Sequence, residues 1–153
     1  MTLDDLDPFL LADLLLDRSP PKKNLGQHFI IDKEAISRTI DLATENDCKL
    51  DTNSHVLEIG PGAGSLTLEL LRTGAAVFAL EIDKDAVSHL NRVFDVSKIN
   101  LEIQEADALQ SIWPEGITHV ISNIPYQISS PILEKIRILH SISPLKLVIL
   151  LVQ

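Results

Sequence analysis

The sequence predicts a three-layer α/β domain with a parallel sheet, and three observations carry that expectation. Short apolar runs alternate with amphipathic segments of helical length, the pattern of strands joined by crossover helices. A glycine-rich turn, Gly60-Pro61-Gly62-Ala63-Gly64, joins the first apolar run to the next helical segment. The 153 residues, 45% hydrophobic and 23% charged, suffice for one domain with its own core.

Taken in order, residues 1–18 read as an acidic appendage in which Asp7 caps a helix and Pro8 occupies its first position. Phe9, Leu10, Leu14 and Leu16 form a short apolar face, able to dock on the body or on a partner. Residues 18–24, "RSPPKKN", form a linker with Arg18, Lys22 and Lys23 as a local positive patch or simply a solvated stretch. Asp32 caps a helix over 33–46, with Ile36, Ile40 and Ala43 at helical spacing. Strands follow at 55–59, 75–82, 99–107, 118–122 and 145–152. Helices are expected at 65–74, closed by Gly74, at 83–95, and from Ser129 or Ser130 to about His140 with Pro131 near the first position. The chain stops directly after its most apolar strand, so the sheet is expected to be truncated after strand five.

No apolar run reaches membrane-spanning length, and the start Thr2-Leu3-Asp4-Asp5 is acidic where a targeting peptide is basic. A cytoplasmic protein without a membrane partner is expected. The single Cys48 excludes an internal disulfide and a cysteine-based zinc site, and no metal site is expected. A net charge of −9 argues against broad electrostatic binding of nucleic acid by this chain alone.

The glycine turn lies where open α/β sheets bind nucleotides, and Gly60, Gly62 and Gly64 permit a tight turn and close backbone approach to a ligand. Glu81 ends the second strand, placed to accept both ribose hydroxyls of an adenosine; a solvent-facing carboxylate is the plainer reading. Asp107, just past the third strand, can accept from an adenine amino group or be a solvated loop residue. A nicotinamide dinucleotide meets the same description. Against it, the loop lacks the spacing G-x-G-x-x-G that seats a pyrophosphate, and S-adenosylmethionine, which has no phosphates, fits better.

Asn123 ends the fourth strand beside that crevice, followed by Ile124, Pro125 and Tyr126. An adenine amino group is a poor nucleophile, with its lone pair delocalised into the ring. The Asn123 side-chain carbonyl and the Ile124 main-chain carbonyl can each accept one N6 hydrogen and favour a pyramidal nitrogen. Pro125 stiffens the carbonyl's direction, and Tyr126 can stack on an extruded base. A strand-ending turn with a packed tyrosine remains the bland alternative.

"NLGQHFIID" (24–32), "VLEIGPGAGSLT" (56–67), "LEID" (80–83), "EADAL" (105–109) and "NIPYQISSPI" (123–132) occur in this order. Together they resemble the small-subunit ribosomal RNA adenine N6,N6-dimethyltransferases, with "GQHF" and "PYQISSPI" closer to the archaeal and eukaryotic branch. The resemblance covers residues 22–153 and leaves 1–21 as an extension and linker. It implies a Rossmann-like class I methyltransferase domain that dimethylates two adjacent adenosines near the 3′ end of small-subunit RNA, using S-adenosylmethionine. It also implies a monomer acting on the immature small ribosomal subunit, and a further helical domain absent from this chain. By motif, cofactor contacts fall on His28, Ile30, Gly60, Glu81, Asp107 and Asn123, with Gln27 nearby; the catalytic set is Asn123, Ile124, Pro125 and Tyr126. Most members have Asn at His28 and Leu at Ile30. Rival readings are the large-subunit adenine N6-methyltransferases that share Asn-Ile-Pro-Tyr, a non-catalytic ribosome assembly factor, and a nicotinamide-dependent oxidoreductase.

Overall fold

A computed structural model describes residues 2–22 and 32–152. After a 3-10 turn at Leu3–Asp5, the elements run α1 (Pro8–Leu16), α2 (Lys33–Glu45), β1 (His55–Ile59), α3 (Ser65–Arg72), β2 (Ala76–Glu81) and α4 (Lys84–Val93). There follow β3 (Leu101–Glu105), β4 (His119–Ile124), a 3-10 turn at Tyr126–Ile128, α5 (Ser129–Ile142) and β5 (Leu147–Val152). The five strands form one parallel sheet in the order β3-β2-β1-β4-β5. The chain builds outward from β1 to β3, then crosses back to lay β4 on the other side of β1. That reversal opens a crevice at the carboxyl ends of β1 and β4.

Alternation along the strands feeds two cores. Val56, Val77, Ala79, Leu101 and Ile121 face the layer that holds α1, α2, α3 and α4. Leu57, Ile59, Leu80, Val120 and Ile124 face α5 and the loop 106–118, with Ile132, Ile136 and Trp113 closing that side. The β3-to-β4 crossover contains no helix, so Trp113 supplies the apolar bulk a crossover helix would bring.

Asp7 and Asp32 cap their helices as expected: Asp7 accepts from the backbone N–H of Phe9 and Leu10, Asp32 from those of Glu34 and Ala35. Gly74, at φ +89°, terminates α3 in the left-handed conformation. The start of α5 differs from expectation. Neither Ser129 nor Ser130 caps it, because the 3-10 turn runs straight into the helix; the Ser129 hydroxyl instead donates to the Tyr126 carbonyl at 2.8 Å. Pro131 is accordingly the third helical residue. β4 also continues past Ser122 to Ile124, paired throughout with β5, so Asn123 is its penultimate residue.

The acidic N-terminal helix docks on the body. The buried face differs from the expected one: Leu11 and Leu15 are buried in the same core as α3 and α4, each contributing about 1.5–3 kcal/mol by burial, Leu10 and Leu14 pack beside them partly buried, and Phe9 and Leu16 are exposed. The Arg72 guanidinium donates to the carbonyls of Leu3 and Leu6 at 2.8 and 2.9 Å, tying the preceding turn to α3. Lys22 turns inward: its ammonium pairs with Asp83 at 2.5 Å and Asp85 at 2.7 Å. The expected positive patch therefore has one of its charges neutralised by the start of α4, and Lys23 lies outside the described residues.

Candidate active site

The sequence-predicted residues that the structure describes meet at one edge of the sheet. Gly60 follows β1, Glu81 ends β2, Asp107 lies two residues beyond β3, and Asn123 sits at the end of β4. These four strands are neighbours and parallel, so their carboxyl ends share one rim. Gln27, His28 and Ile30 lie outside the described residues.

The glycine turn is shaped by its neighbours. Gly60, Gly62 and Gly64 all have positive φ, at +66°, +57° and +92°, a region other residues enter at a cost of roughly 1–2 kcal/mol. Gly60 donates to the Leu80 carbonyl at 2.8 Å and Gly62 to the Glu81 carboxylate at 2.9 Å. A Cβ at Gly60 would meet nothing within 4 Å, whereas one at Gly64 would lie 2.8 Å from both Leu90 Cδ2 and Phe94 Cε2. The expectation that all three glycines clear space for a ligand is thus corrected at Gly64. That glycine is required by the close approach of the turn to Leu90 and Phe94 at the end of α4; the open side of the turn is at Gly60.

Glu81 is not a solvent-facing carboxylate; it is buried at 4% exposure. Its second oxygen accepts from the Asp83 N–H at 2.9 Å. Burial raises its pKa, opposed by the N–H groups of Asp83 and Gly62 and reinforced by the Asp83 charge. The Ile82 N–H also bonds to the carboxylate and opposes the rise. Asp107 is half-buried, and its Oδ1 accepts from the Leu109 N–H at 2.8 Å. Its Oδ2 makes no hydrogen bond among the described residues. Asn123 is half-buried and its amide is likewise unbonded among the described residues. Pro125 is extended at φ −61°, ψ 142°, and it turns Tyr126 outward to 72% exposure. Ile124 is buried, anchoring the motif in the core beneath.

Sequence reasoning missed three supports. Glu58 is buried inside β1 and accepts from the Thr67 hydroxyl at 2.6 Å; burial pushes its pKa up to about 8, with the Glu81 charge adding to the rise. His89, buried on α4, bonds through Nε2 to the Ala63 carbonyl at 2.9 Å. A carbonyl only accepts, so Nε2 carries the proton and fixes the turn from behind. Ser65, first in α3, holds a buried hydroxyl with no hydrogen-bond partner among the described residues. Only the charged letter within the apolar run "VLEI" signals any of these in the sequence.

Residues 19–153 match the family described as ribosomal RNA adenine dimethylase. A ribosomal RNA small subunit methyltransferase A of Gloeobacter violaceus is 41% identical over 133 residues, 86% of this chain and 46% of that protein. The crystal structure of a dimethyladenosine transferase from Plasmodium falciparum superposes with a TM-score of 0.60 at 31% identity, covering 69% of this chain and 37% of that one. A 23S rRNA methyltransferase structure gives the same TM-score of 0.60 at 32% identity, over 70% of this chain and 41% of that one. The chain spans about two-fifths of the length of the curated relatives it matches.

Proposed function

The chain belongs to the ribosomal RNA adenine dimethylase family, and from that premise we propose that it carries the centre for S-adenosylmethionine-dependent N6-dimethylation of two adjacent adenosines in small-subunit ribosomal RNA. Its fold is the Rossmann-like sheet of class I methyltransferases. The observation that carries the reading is the convergence of the glycine turn, Glu81, Asp107 and Asn123–Tyr126 on one rim of the sheet.

The residues present fit the cofactor. The acceptor-only carboxylate of Glu81 suits a ribose diol, Asp107 Oδ2 suits the adenine amino group, and the open side of Gly60 admits close approach. The lone hydroxyl of Ser65 awaits a polar partner at the same turn. The resemblance adds His28 and Ile30 to this set, with Gln27 beside them in sequence; all three lie outside the described residues. When bound, S-adenosylmethionine supplies an electrophilic methyl group on its sulfonium. Asn123 Oδ1 and the Ile124 carbonyl accept the two N6 hydrogens of the target adenine, turning the nitrogen lone pair toward that methyl. Asn123 lies at the junction of cofactor and target and touches both. Tyr126 stacks on the extruded base, its exposure being that of a plate open to a ligand from outside. The N6 proton leaves to water as the nitrogen regains planarity.

The protein acts, in this reading, as a cytoplasmic monomer on the immature small ribosomal subunit. Among the described residues no helix is long and apolar enough to cross a membrane. The test is methyl transfer from labelled S-adenosylmethionine to immature small subunits, with the product nucleoside identified, beside an Asn123→Ala variant. Dimethyladenosine that disappears in the variant supports the proposal. Cofactor binding without transfer moves the reading to an assembly factor. Methylation of large-subunit RNA instead would favour the rival that the 23S enzyme's equal structural likeness keeps in view.

A further inference from the structure

We infer that Lys135 is a positioning residue for adenine recognition: from α5 it holds the turn that presents Asp107. The inference rests on the proposed cofactor role of Asp107 and goes beyond it, since Lys135 is not itself assigned any contact with cofactor or RNA. The crossover that carries Asp107 has no helix, so the carbonyls after it lack the partners a ladder would give them. Lys135 Nζ supplies them. It donates to the Ala108 carbonyl at 2.8 Å and the Ser111 carbonyl at 2.6 Å, and stands 3.5 Å from that of Leu109. An ammonium has three donors and no acceptor, and here three carbonyls converge on it.

Trp113 completes the nest. Its ring centroid lies 4.8 Å from Nζ, and its indole N–H donates to the same Ala108 carbonyl at 2.9 Å. Ile132 and Ile136, buried on either side of Lys135 in α5, fix the helix to the sheet, so the cation stands on a rigid element. Asp107 depends on the turn so held. Its Oδ1 bonds to the Leu109 N–H, and its own carbonyl accepts from the N–H groups of Gln110 and Ser111 at 3.0 and 2.9 Å. Two of those partners, Leu109 and Ser111, also face Lys135 with their carbonyls, so the ammonium braces the turn that fixes Asp107. Among the described residues no other cationic side chain bonds to this turn.

The test is a double-mutant cycle read by calorimetric titration with S-adenosylhomocysteine, at a temperature where every variant is folded by circular dichroism. Lys135→Met is expected to weaken binding roughly tenfold in the wild-type background and less than about twofold in an Asp107→Asn background, the non-additivity of residues acting as one unit. Lys135→Gln, which keeps two of the three N–H donors on a shorter side chain and disturbs folding less, is expected to fall between. An equal fold loss in both backgrounds would make Lys135 a general structural prop and overturn the inference. So would unchanged binding by both Lys135 variants. Absence of binding by the wild-type chain would instead strike the cofactor reading itself, and the inference with it.

Discussion

The β1–β2 half of the rim and its β4 end are built on opposite plans. In the first, the polar groups other than the Ser65 hydroxyl are engaged within the chain: Glu81 takes the N–H groups of Gly62 and Asp83, His89 holds the Ala63 carbonyl, and Glu58 is sealed beneath with Thr67. At the β4 end, the Asn123 amide makes no bond among the described residues and Tyr126 stands out from the surface. A densely bonded half suits a small cofactor met repeatedly in one pose. The open end suits a large substrate that brings its own partners. The contrast separates positions where substitution costs stability from positions where it costs only chemistry.

The largest expected effect falls where the halves meet. Asn123→Ala should lower methyl transfer roughly 10²- to 10³-fold, the usual loss when one preorganised polar group is removed from a reacting centre. Its melting temperature should stay close to wild type, and a parallel loss of stability would break the contrast. Next, Gly64→Ala should destabilise the fold by about 2–3 kcal/mol in chemical denaturation, since its Cβ meets Leu90 and Phe94 at 2.8 Å in a left-handed backbone. Gly60→Ala should cost less stability, carrying only the backbone strain of about 1–2 kcal/mol, yet weaken cofactor binding more.

Much of this organisation was legible before the structure. Apolar runs located all five strands, and Asp7, Asp32 and Gly74 marked helix ends, because each signal lies within a few residues of its effect. The supports of the site were not legible. Glu58 finds Thr67 nine residues on, His89 reaches back to Ala63, and Lys135 gathers carbonyls that lie more than twenty residues earlier. Those pairings exist only once the sheet has assembled. The α5 start misled for a related reason: a serine beside a proline reads as a cap, but the preceding 3-10 turn already supplies the helix entry.

Two smaller effects are expected at Tyr126 and Glu58. Tyr126→Ala should leave stability within about 0.5 kcal/mol while weakening productive RNA engagement by about 1–3 kcal/mol, the worth of one stacked base; steady-state kinetics with the RNA substrate separates the two. Glu58 gives the first half a pH dependence. With its folded pKa pushed up to about 8 from the ordinary 4.5 of a glutamate, it is protonated when folded and ionised when unfolded between those values. Unfolding then releases a proton, so its contribution to stability is complete below about pH 4.5 and is lost as pH rises toward 8. Glu58→Gln should flatten that fall in urea unfolding at pH 5 and pH 8, and an unchanged slope would show that Glu58 is ionised in the fold.

The most direct measurement is a calorimetric titration of the chain with S-adenosylhomocysteine, beside Glu81→Gln and Tyr126→Ala. A single site is expected, weakened at least about tenfold in Glu81→Gln, where hydrogen bonds to a charged group are lost, and unchanged in Tyr126→Ala. No binding by the wild-type chain, or an equal loss in both variants, would contradict it.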